Sequence, residues 1–401
     1  MPEVITTSGA EWITDNLWPG ASLSPERVSG AAAELVAVPD ASAPTQLLPA
    51  SWTSVAAVAR RPSDDRPRGK ALRDAIGVAG LVALSRFDRR RRLTVVGDAD
   101  ASLVAHLRRV VDPRIADAVV LCGPARANRK PVMQLHDRHG RTVAFAKVAW
   151  NDLTRALLAR EHAALTHLAS RTTTGFQCPR VLGSGSFGDA DWLALGPVGV
   201  SKRSAPGDAA SFAVAREIER TADEWNGAVG ANPFVQRLTA AATRLATSAP
   251  IVADLAAASE SGDLVLRAAH GDFVPWNTLT GTPAPAVWDW ERYEQQAPAG
   301  YDRFHHVFQT SIFRRGMPVA AAVAAMDARL DEIVPDLGRA ARIHLDWYLA
   351  DLLCRYERDA SPVASPASPE TPPVAVEPRH PSLMARVADM ATVMEQRRSR
   401  R

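Results

Sequence analysis

The sequence predicts an α+β fold in which a small lobe built on an antiparallel sheet is followed by a large helical lobe, with an additional α/β module at the N-terminus. Residues 131–150 read as two strands joined by a turn. Apolar residues recur at helical spacing through residues 209–260 and 302–357. In the first 113 residues, short apolar runs alternate with helix-like stretches. These three observations give the fold class.

Length and composition fit a globular protein of two to three domains. The chain has 401 residues, 46% of them apolar, and its net charge of +3 is small. No run of about 18 apolar residues occurs, and the start MPEVITTSGAEW lacks the basic and apolar regions of a secretory signal. The 3 cysteines form no CxxC pair, which argues against a disulfide framework and a zinc site. We therefore expect a cytoplasmic protein with no membrane partner.

Composition and periodicity divide the chain into five segments. The last of them ends in LMARVADMATVMEQ and RRSRR, for which docking on the domain or a partner competes with a basic, disordered terminus, and the disordered terminus is preferred. The expected segments are the N-terminal module 1–113, the small lobe 114–197, the helical lobe 198–358, a Pro/Ser-rich linker 359–381, and a short helix with a basic tail 382–401.

Two motifs in the N-terminal module have competing interpretations. VVGDAD, followed by a helix-like stretch, has the position of a Rossmann-type nucleotide turn but one glycine in place of three, so a turn capped by an aspartate is preferred. SRFDRRRR is basic, yet it lacks interleaved aromatic residues and a second basic element. We interpret it as a solvated turn and expect no nucleic-acid partner.

The second strand of the small lobe contains a lysine on an apolar face. Val143, Phe145 and Ala149 share the parity of Lys147 along the strand. A charge in that position requires a partner, whereas a lysine on an edge strand would be solvated. Both interpretations are open from this segment alone.

The next segment, LTRALLAREHAALTHLAS, has leucines at helical spacing and a single acidic residue. No other carboxylate occurs between Asp152 and Asp189, so Glu161 is the natural partner for Lys147. A solvated glutamate paired with a nearby arginine is the alternative.

Two glycine-containing motifs follow the helix. GSGSFG at 183–188 resembles a phosphate-binding glycine string, but it comes after Lys147 and Glu161, so we interpret it as a hairpin turn. The strand WLAL runs into GPVG, which suits a hinge between lobes. Leu195, Gly196 and Val198 are candidates for contacting the edge of an adenine base by position along the chain.

Residues 270–291, HGDFVPWNTLTGTPAPAVWDWE, hold the strongest chemical signal. Their spacing is the one that phosphoryl transfer needs: Asp272 to accept the proton of an attacking hydroxyl, Asn277 to reach a magnesium ion, and Asp289 to hold the metal that bridges the phosphates. His270 is interpreted as an orienting residue, and His305 as a packing and hydrogen-bonding residue.

With these motifs in this order, the chain resembles the aminoglycoside phosphotransferase and choline kinase group, the small-molecule branch of the protein-kinase-like bilobal fold. The resemblance covers about residues 114–358 and depends on HGDxxxxN and WDWE together. It implies that Asp272 is the catalytic base, Asn277 and Asp289 bind Mg²⁺, and Lys147, fixed by Glu161, contacts the phosphates of ATP or another NTP. It also implies that Asp302, which follows WDWE, braces the catalytic loop, and an N-cap is the alternative for that residue.

The sequence departs from the protein-kinase pattern at the phosphate loop. CGPARANRK stands where a glycine-rich loop is expected and contains one glycine. Arg126, Arg129 and Lys130 are candidates for supplying charge to the phosphates in its place, since guanidinium groups bind phosphate by forked hydrogen bonds. A basic hairpin turn is the equal alternative.

The expected activity is transfer of the γ-phosphoryl of ATP or another NTP to a hydroxyl of a small molecule such as an amino sugar, a sugar or an amino alcohol. A non-catalytic kinase-like nucleotide-binding or scaffold protein is the alternative. The polar positions that phosphoryl transfer needs are all occupied by residues that can act there, which favours the enzyme. These residues are Lys147, Glu161, Asp272, Asn277 and Asp289. The acceptor and the oligomeric state are not determined by the sequence.

Overall fold

The computed structural model describes residues 11–60, 76–77, 79–80, 82–83, 88, 90–122, 130–171, 175–199, 207–260, 262–279, 281, 284–360 and 381–399. The chain divides into two compact units, the first of residues 1–169 and 178–199, and the second of residues 170–177 and 200–401. The first is built on antiparallel strands and the second is mainly helical. The predicted α+β fold class is confirmed. The Pro/Ser-rich linker, apart from its ends, lies outside the described residues.

The first unit is built on an antiparallel sheet of nine described strands in the order β1-β4-β2-β3-β5-β6-β7-β9-β8. α-Helices accompany the sheet, four of them with bounds in the described part of the chain. The strands are β1 Ser22–Ser24, β2 Ala33–Val38, β3 Gln46–Pro49, β4 Arg92–Val96, β5 Asp117–Leu121, β6 Val132–His136, β7 Thr142–Ala149, β8 Val181–Phe187 and β9 Ala190–Leu195. The helices are α1 Glu11–Leu17, α2 Trp52–Arg60, α3 Leu103–Val110 and α4 Asp152–Ala169.

The sheet is continuous across the boundary expected at residue 113. Strand β3 pairs with β5, with Leu47 opposite Val120. Leu47 and Val95 also belong to the same buried apolar cluster as Met133 and Ala146. Residues on both sides of position 113 therefore contribute to one sheet and one core.

The VVGDAD motif forms a capped turn. The side chain of Asp98 accepts a hydrogen bond from the backbone N–H of Asp100, and Ser102 accepts one from Ala105 at the start of α3. These bonds satisfy N–H groups that a helix start leaves without partners. The preferred aspartate-capped interpretation is confirmed.

The GSGSFG segment is a strand, and the prediction of a hairpin turn over residues 183–188 is wrong for most of it. Strand β8 extends through Phe187, and the turn consists of Gly188 and Asp189 only. Gly185 lies opposite Trp192 on β9, and a Cβ atom at Gly185 would come within 3.1 Å of the indole. The glycine therefore makes room for an aromatic ring across the strand pair.

The second unit has a three-stranded sheet in the order β10-β11-β14, a short β12-β13 pair and a helical core. Its described strands are β10 Trp225–Ala228, β11 Asp263–Ala269, β12 Thr278–Leu279, β13 Ala286–Val287 and β14 Glu294–Pro298. Its described helices are α5 Asp208–Glu219, α6 Pro233–Ala242, α7 Ser248–Ser259, α8 Tyr301–Gln309, α9 Val319–Asp327, α10 Leu330–Ile333, α11 Ala341–Ala360 and α12 Pro381–Arg398. Among the residues that the structure describes, no helix is long and apolar enough to cross a lipid bilayer.

The C-terminal segment is a docked helix, so the preferred prediction of a disordered terminus is wrong for residues 381–399. Val387, Met390 and Met394 of α12 are buried in the core of the second unit. Their spacing places them on one face of a helix. Arg397 donates from Nε to Asp346 Oδ1 at 2.6 Å, which pairs part of the basic tail with a buried carboxylate. An apolar stripe and a specific ion pair, not net charge, decide the structure of this segment.

Candidate active site

Lys147 and Glu161 form a buried ion pair within the first unit. Lys147 lies on β7 between Val132 of β6 and Leu193 of β9. Its Nζ atom lies 2.7 Å from Oε1 and 2.6 Å from Oε2 of Glu161. Both side chains are buried, so the alternative of a solvated lysine on an edge strand is wrong.

Helix α4 delivers Glu161 from its apolar face. The helix begins after Asn151, whose side-chain oxygen accepts a hydrogen bond from the N–H of Thr154. Leu157, Leu165 and Glu161 are all buried. A carboxylate on the buried face is costly without a partner, and the ammonium of Lys147 is that partner. The alternative of a solvated glutamate is therefore wrong.

The structure describes four of the remaining six candidate residues of the first unit, namely Lys130, Leu195, Gly196 and Val198. Arg126 and Arg129 lie outside the described residues, and Lys130 is half-buried just before β6. Leu195 is buried at the end of β9, and the N–H of Gly196 donates to the backbone oxygen of Arg180 at 2.8 Å. Val198 follows, half-buried. The boundary between the two compact units falls after residue 199, at the end of the GPVG segment.

In the second unit, the loop that follows β11 needs a glycine. Gly271 has a φ of +79°, in the left-handed region. A Cβ atom there would lie 2.1 Å from the backbone oxygen of Arg292. Only glycine fits this position, which fixes the path of the chain between His270 and Asp272.

Asp272 is held by side chains from three places in the second unit. Its Oδ1 lies 3.0 Å from Nε2 of His305 on α8, and its Oδ2 accepts a hydrogen bond from Nδ2 of Asn277 at 3.1 Å. The guanidinium of Arg355 on α11 approaches Oδ1 to 4.0 Å. About 36% of the side chain remains exposed. A carboxylate with fixed donors and an open side is suited to accept a proton.

The electrostatics keep Asp272 ionised at neutral pH. Burial raises the pKa of Asp272, but the hydrogen bond from His305 and the charge of Arg355 lower it by more, so the pKa lies well below the usual range of an aspartate. The carboxylate is therefore available as a proton acceptor without first losing a proton of its own.

His270 joins the two motif segments as a neutral imidazole. Burial lowers the pKa of His270 to about 4. Its Nδ1 accepts from the N–H of Asp272 at 3.2 Å, and its Nε2 lies 3.0 Å from the backbone oxygen of Trp288, to which it donates. The geometry is that of an orienting residue that ties HGD to WDWE.

Asp302 braces the loop from the first turn of α8. Its two oxygens accept hydrogen bonds from the backbone N–H groups of His270, at 2.7 Å, and of Gly271, at 3.0 Å. Burial raises the pKa of Asp302 to about 7 in spite of these donors. The residue that caps α8 is Gly300, so the alternative of an N-cap at Asp302 is wrong.

Asn277 and Asp289 are brought together by the β12-β13 pair. Thr278 lies opposite Val287, and the N–H of Trp288 donates to the backbone oxygen of Asn277 at 3.1 Å. Asp289 has a φ of +73°, which is strained for a residue other than glycine. His270 thus bonds to Asp272 and to Trp288, the residue before Asp289, while Asn277 bonds to Asp272.

The donor set of this cluster fits a hard divalent cation. Carboxylate and amide oxygens are the ligands that Mg²⁺ prefers. Nδ2 of Asn277 donates to both the backbone oxygen and Oδ2 of Asp272, so the amide oxygen is the atom of this side chain that remains for a cation. Asn277 and Asp289 are the residues that would hold the ion.

Three residues at the cluster were not assigned to it from the sequence. His305 was expected to pack and hydrogen-bond, but its bond to Asp272 was not foreseen, and Tyr348 and Arg355 were not singled out. Arg355 also donates to the backbone oxygen of Gly271 at 2.8 Å. The one available signal was the helical spacing of Tyr348 and Arg355, seven residues apart along α11.

Comparison with known proteins gives distant structural similarity. The chain is similar to a crystal structure of aminoglycoside phosphotransferase APH(4)-Ia, with a TM-score of 0.47, 13% identity, and 75% of this chain and 98% of that chain covered. It is also similar to a putative fructosamine-3-kinase from Haemophilus somnus 129PT, with a TM-score of 0.41, 15% identity, and coverage of 72% and 96%. No family model and no curated protein sequence matches the chain.

Proposed function

We propose that the protein is a phosphotransferase that moves the γ-phosphoryl group of ATP, or of another NTP, to a hydroxyl of a small molecule, with Asp272 as the base. The observation that carries the proposal is the ionised carboxylate of Asp272, fixed by His305 and Asn277 and open to solvent on one side. Such a carboxylate is what deprotonation of an attacking alcohol needs.

In this proposal, Asp272 receives the proton of the acceptor hydroxyl as its oxygen forms a bond to the γ-phosphorus. The bond from the γ-phosphorus to the bridging oxygen breaks in line, and the nucleoside diphosphate leaves. Bound Mg²⁺, held by Asn277 and Asp289, supplies charge neutralisation. The rate enhancement comes mainly from positioning and from electrostatic stabilisation.

The first unit contributes the nucleotide contacts in this proposal. Lys147, held by Glu161, contacts the phosphates, and the backbone of Leu195, Gly196 and Val198 contacts the base. Arg126, Arg129 and Lys130 are proposed to add positive charge near the phosphates. The buried Lys147–Glu161 pair supports this part, because a lysine fixed by a helix carboxylate is the arrangement that kinases use.

The acceptor is proposed to be an amino sugar, a sugar or an amino alcohol. A screen of such compounds with ATP, read by mass spectrometry for the mass gain of a phosphoryl group, identifies it. In that assay, Asp272→Asn should lower turnover by at least about 10³-fold while Mg²⁺-dependent nucleotide binding is kept. Asp189→Asn, in the exposed turn between β8 and β9, is the matched control and should leave turnover unchanged. Normal turnover by Asp272→Asn would refute the assigned base.

The second candidate function is a non-catalytic kinase-like nucleotide-binding or scaffold protein. The N-terminal strands that extend the sheet of the first unit favour it, since they add a large surface to the nucleotide-binding half. Mg²⁺-dependent nucleotide binding without ATP hydrolysis or transfer to any acceptor would support the scaffold and exclude the enzyme.

A further inference from the structure

A buried tyrosine and a buried histidine stand in line behind Asp272. The hydroxyl of Tyr348 on α11 lies 3.2 Å from Nδ1 of His305, and Nε2 of His305 lies 3.0 Å from Oδ1 of Asp272. Tyr348 is fully buried and His305 almost so. The chain of contacts runs from the core of the second unit to the proposed base.

The direction of both hydrogen bonds follows from the chemistry of the three groups. An ionised carboxylate only accepts hydrogen bonds, so Nε2 of His305 carries a hydrogen and donates to Asp272. Burial lowers the pKa of His305 more than Asp272 raises it, so the imidazole is neutral and Nδ1 has no hydrogen. The hydroxyl of Tyr348 must then donate to Nδ1. One tautomer of His305 satisfies the whole chain.

Aromatic packing holds the tyrosine in place. The ring of Tyr348 makes an edge contact with Tyr301, with 5.0 Å between ring centroids, and further contacts with Phe304 and Phe308. Its hydroxyl therefore cannot leave Nδ1 of His305 without disturbing a close-packed core. The charged groups near His305 are Asp272, Arg355 and Asp351.

We propose that His305 and Tyr348 are positioning residues for the reaction, in which Tyr348 fixes the tautomer of His305 and His305 fixes the rotation of the Asp272 carboxylate. The proposal rests on the proposed function of Asp272 as base. His305 holds Oδ1 while Asn277 holds Oδ2, so the two donors together set the plane of the carboxylate. The lone pairs that receive the proton then point in a fixed direction.

The physical consequence is an effect on the chemical step and not on binding. Without the donor at Oδ1, the carboxylate rotates about its last side-chain bond, and a misplacement of about 1 Å costs about 10²-fold in rate. His305→Leu should therefore lower kcat by about 10²-fold and leave the KM values for nucleotide and acceptor within about 2-fold.

Conservative variants separate positioning from packing. The side-chain amide of glutamine places a donor near the position of Nε2, so His305→Gln should restore kcat to within about 10-fold of the wild type. Tyr348→Phe keeps the ring but removes the hydroxyl, and it should lower kcat by about 5-fold to 10-fold. The matched control is His344→Leu, since His344 is a buried histidine of α11 that bonds to Val265 and Ala340 instead of Asp272. It should leave kcat unchanged.

A spectroscopic measurement tests the geometry without an acceptor. In the full-length protein labelled with ¹⁵N-histidine, at pH 7 and without nucleotide, the nitrogen shifts of His305 should show a hydrogen on Nε2 and none on Nδ1. In Tyr348→Phe, a fraction with the hydrogen on Nδ1 should appear. His305→Gln identifies the signals by their loss.

The outcomes are distinguishable. A hydrogen on Nδ1 of His305 in the wild type, or a decrease in kcat by His344→Leu as large as that of His305→Leu, overturns the positioning proposal. Absence of transfer by the wild type with every acceptor overturns the proposed function, and the nitrogen shifts still decide whether the tautomer is fixed. If His305→Leu does not fold, His305→Gln and Tyr348→Phe carry the kinetic test.

Discussion

The two charged sites of this protein are built in opposite ways. In the first unit, Lys147 and Glu161 satisfy each other across 2.6 to 2.7 Å, and both are buried. In the second unit, Asp272 is hydrogen-bonded to His305 and Asn277, has the guanidinium of Arg355 4.0 Å away, and remains partly exposed. The first site is a buried pair of opposite charges, and the second is a partly exposed charge held by several neutral and charged groups.

The difference indicates that side chains at the first site contribute mainly to the free energy of unfolding, whereas those at the second site mainly orient a reactive group. A buried pair loses stability when one partner is removed, because the other charge is left in an apolar environment. An exposed and multiply held carboxylate loses little stability when one donor is removed, since water replaces that donor. Mutations at the first site should therefore report on folding, and those at the second on orientation.

The largest effect is expected when the buried ion pair of Lys147 and Glu161 is broken. Glu161→Ala should lower the free energy of unfolding by about 3–5 kcal/mol, because the buried ammonium of Lys147 loses the carboxylate that it contacts at 2.6 to 2.7 Å. Urea denaturation at pH 7 measures it. The double variant Lys147→Met with Glu161→Leu removes both charges and should recover most of the loss. A double variant as unstable as Glu161→Ala would show that packing of α4, and not charge, holds this site.

The next effect is a pH-dependent contribution of His270 to the stability of the second unit. The pKa of His270 is lowered to about 4 by burial, whereas an unfolded histidine titrates near 6.5. At this residue, the unfolded chain therefore binds a proton between pH 6.5 and pH 4 that the folded chain does not, and the contribution of His270 to stability falls as the pH falls through this window.

This single histidine accounts for about 3 kcal/mol across the full window, at about 1.4 kcal/mol for each pKa unit. Denaturation midpoints of the wild type and of His270→Gln at pH 7 and pH 5 measure it. On going from pH 7 to pH 5, the midpoint of the wild type should fall relative to that of the variant. An equal change in both proteins would mean that His270 is not the group that titrates.

A smaller effect is expected at Asp302, which braces the loop that contains His270 and Gly271. Asp302→Asn keeps one acceptor oxygen but directs an amide N–H₂ at a backbone N–H, so one of the two donors from His270 and Gly271 is left buried without a partner. The free energy of unfolding should fall by about 2 kcal/mol. Hydrogen exchange of the amides of residues 270 and 271 should accelerate, while exchange in α4 should not. Unchanged exchange at both amides would contradict the brace.

The smallest effect has the opposite sign. Asp289 adopts a φ of +73°, which costs a non-glycine residue about 1 kcal/mol. Asp289→Gly should stabilise the fold by up to about 1 kcal/mol and at the same time abolish Mg²⁺-dependent use of nucleotide. Asp289→Asn is the control, since asparagine tolerates this conformation and should leave the thermal midpoint unchanged. A lower midpoint for the glycine variant would show that the carboxylate stabilises the loop.

The sequence anticipated those features that depend on local pattern. The strands around residues 131–150 and the helix that contains Glu161 were predicted with nearly the observed bounds. Alternating spacing in a strand, and helical spacing in a helix, each place the apolar side chains on one face of the element. The pairing of Glu161 with Lys147 was inferred by elimination, since that helix contains a single candidate carboxylate. The roles of these residues in catalysis stay predictions.

Features that depend on contacts between distant segments were missed or misread. Glycines at 183 and 185 suggested a turn, but both lie in strand β8, where a Cβ atom at Gly185 would crowd the indole of Trp192 on the neighbouring strand. The basic C-terminal tail suggested disorder, but Asp346 lies fifty-one residues before Arg397 and pairs with it. In each case, the residue that decides the structure lies outside the short segment whose pattern was used for the prediction.

By itself, the sequence determined strands β6 and β7, helix α4 and the lysine and glutamate of the buried pair, because periodicity and spacing are local properties of the chain. The same spacing predicts Asp272, Asn277 and Asp289 as site residues. Only the tertiary structure decided that β1 to β4 extend the sheet of the first unit, and that His305, Tyr348 and Arg355 surround Asp272. Those contacts arise when segments that are dozens of residues apart bury their apolar faces together. No local pattern encodes which polar groups then meet.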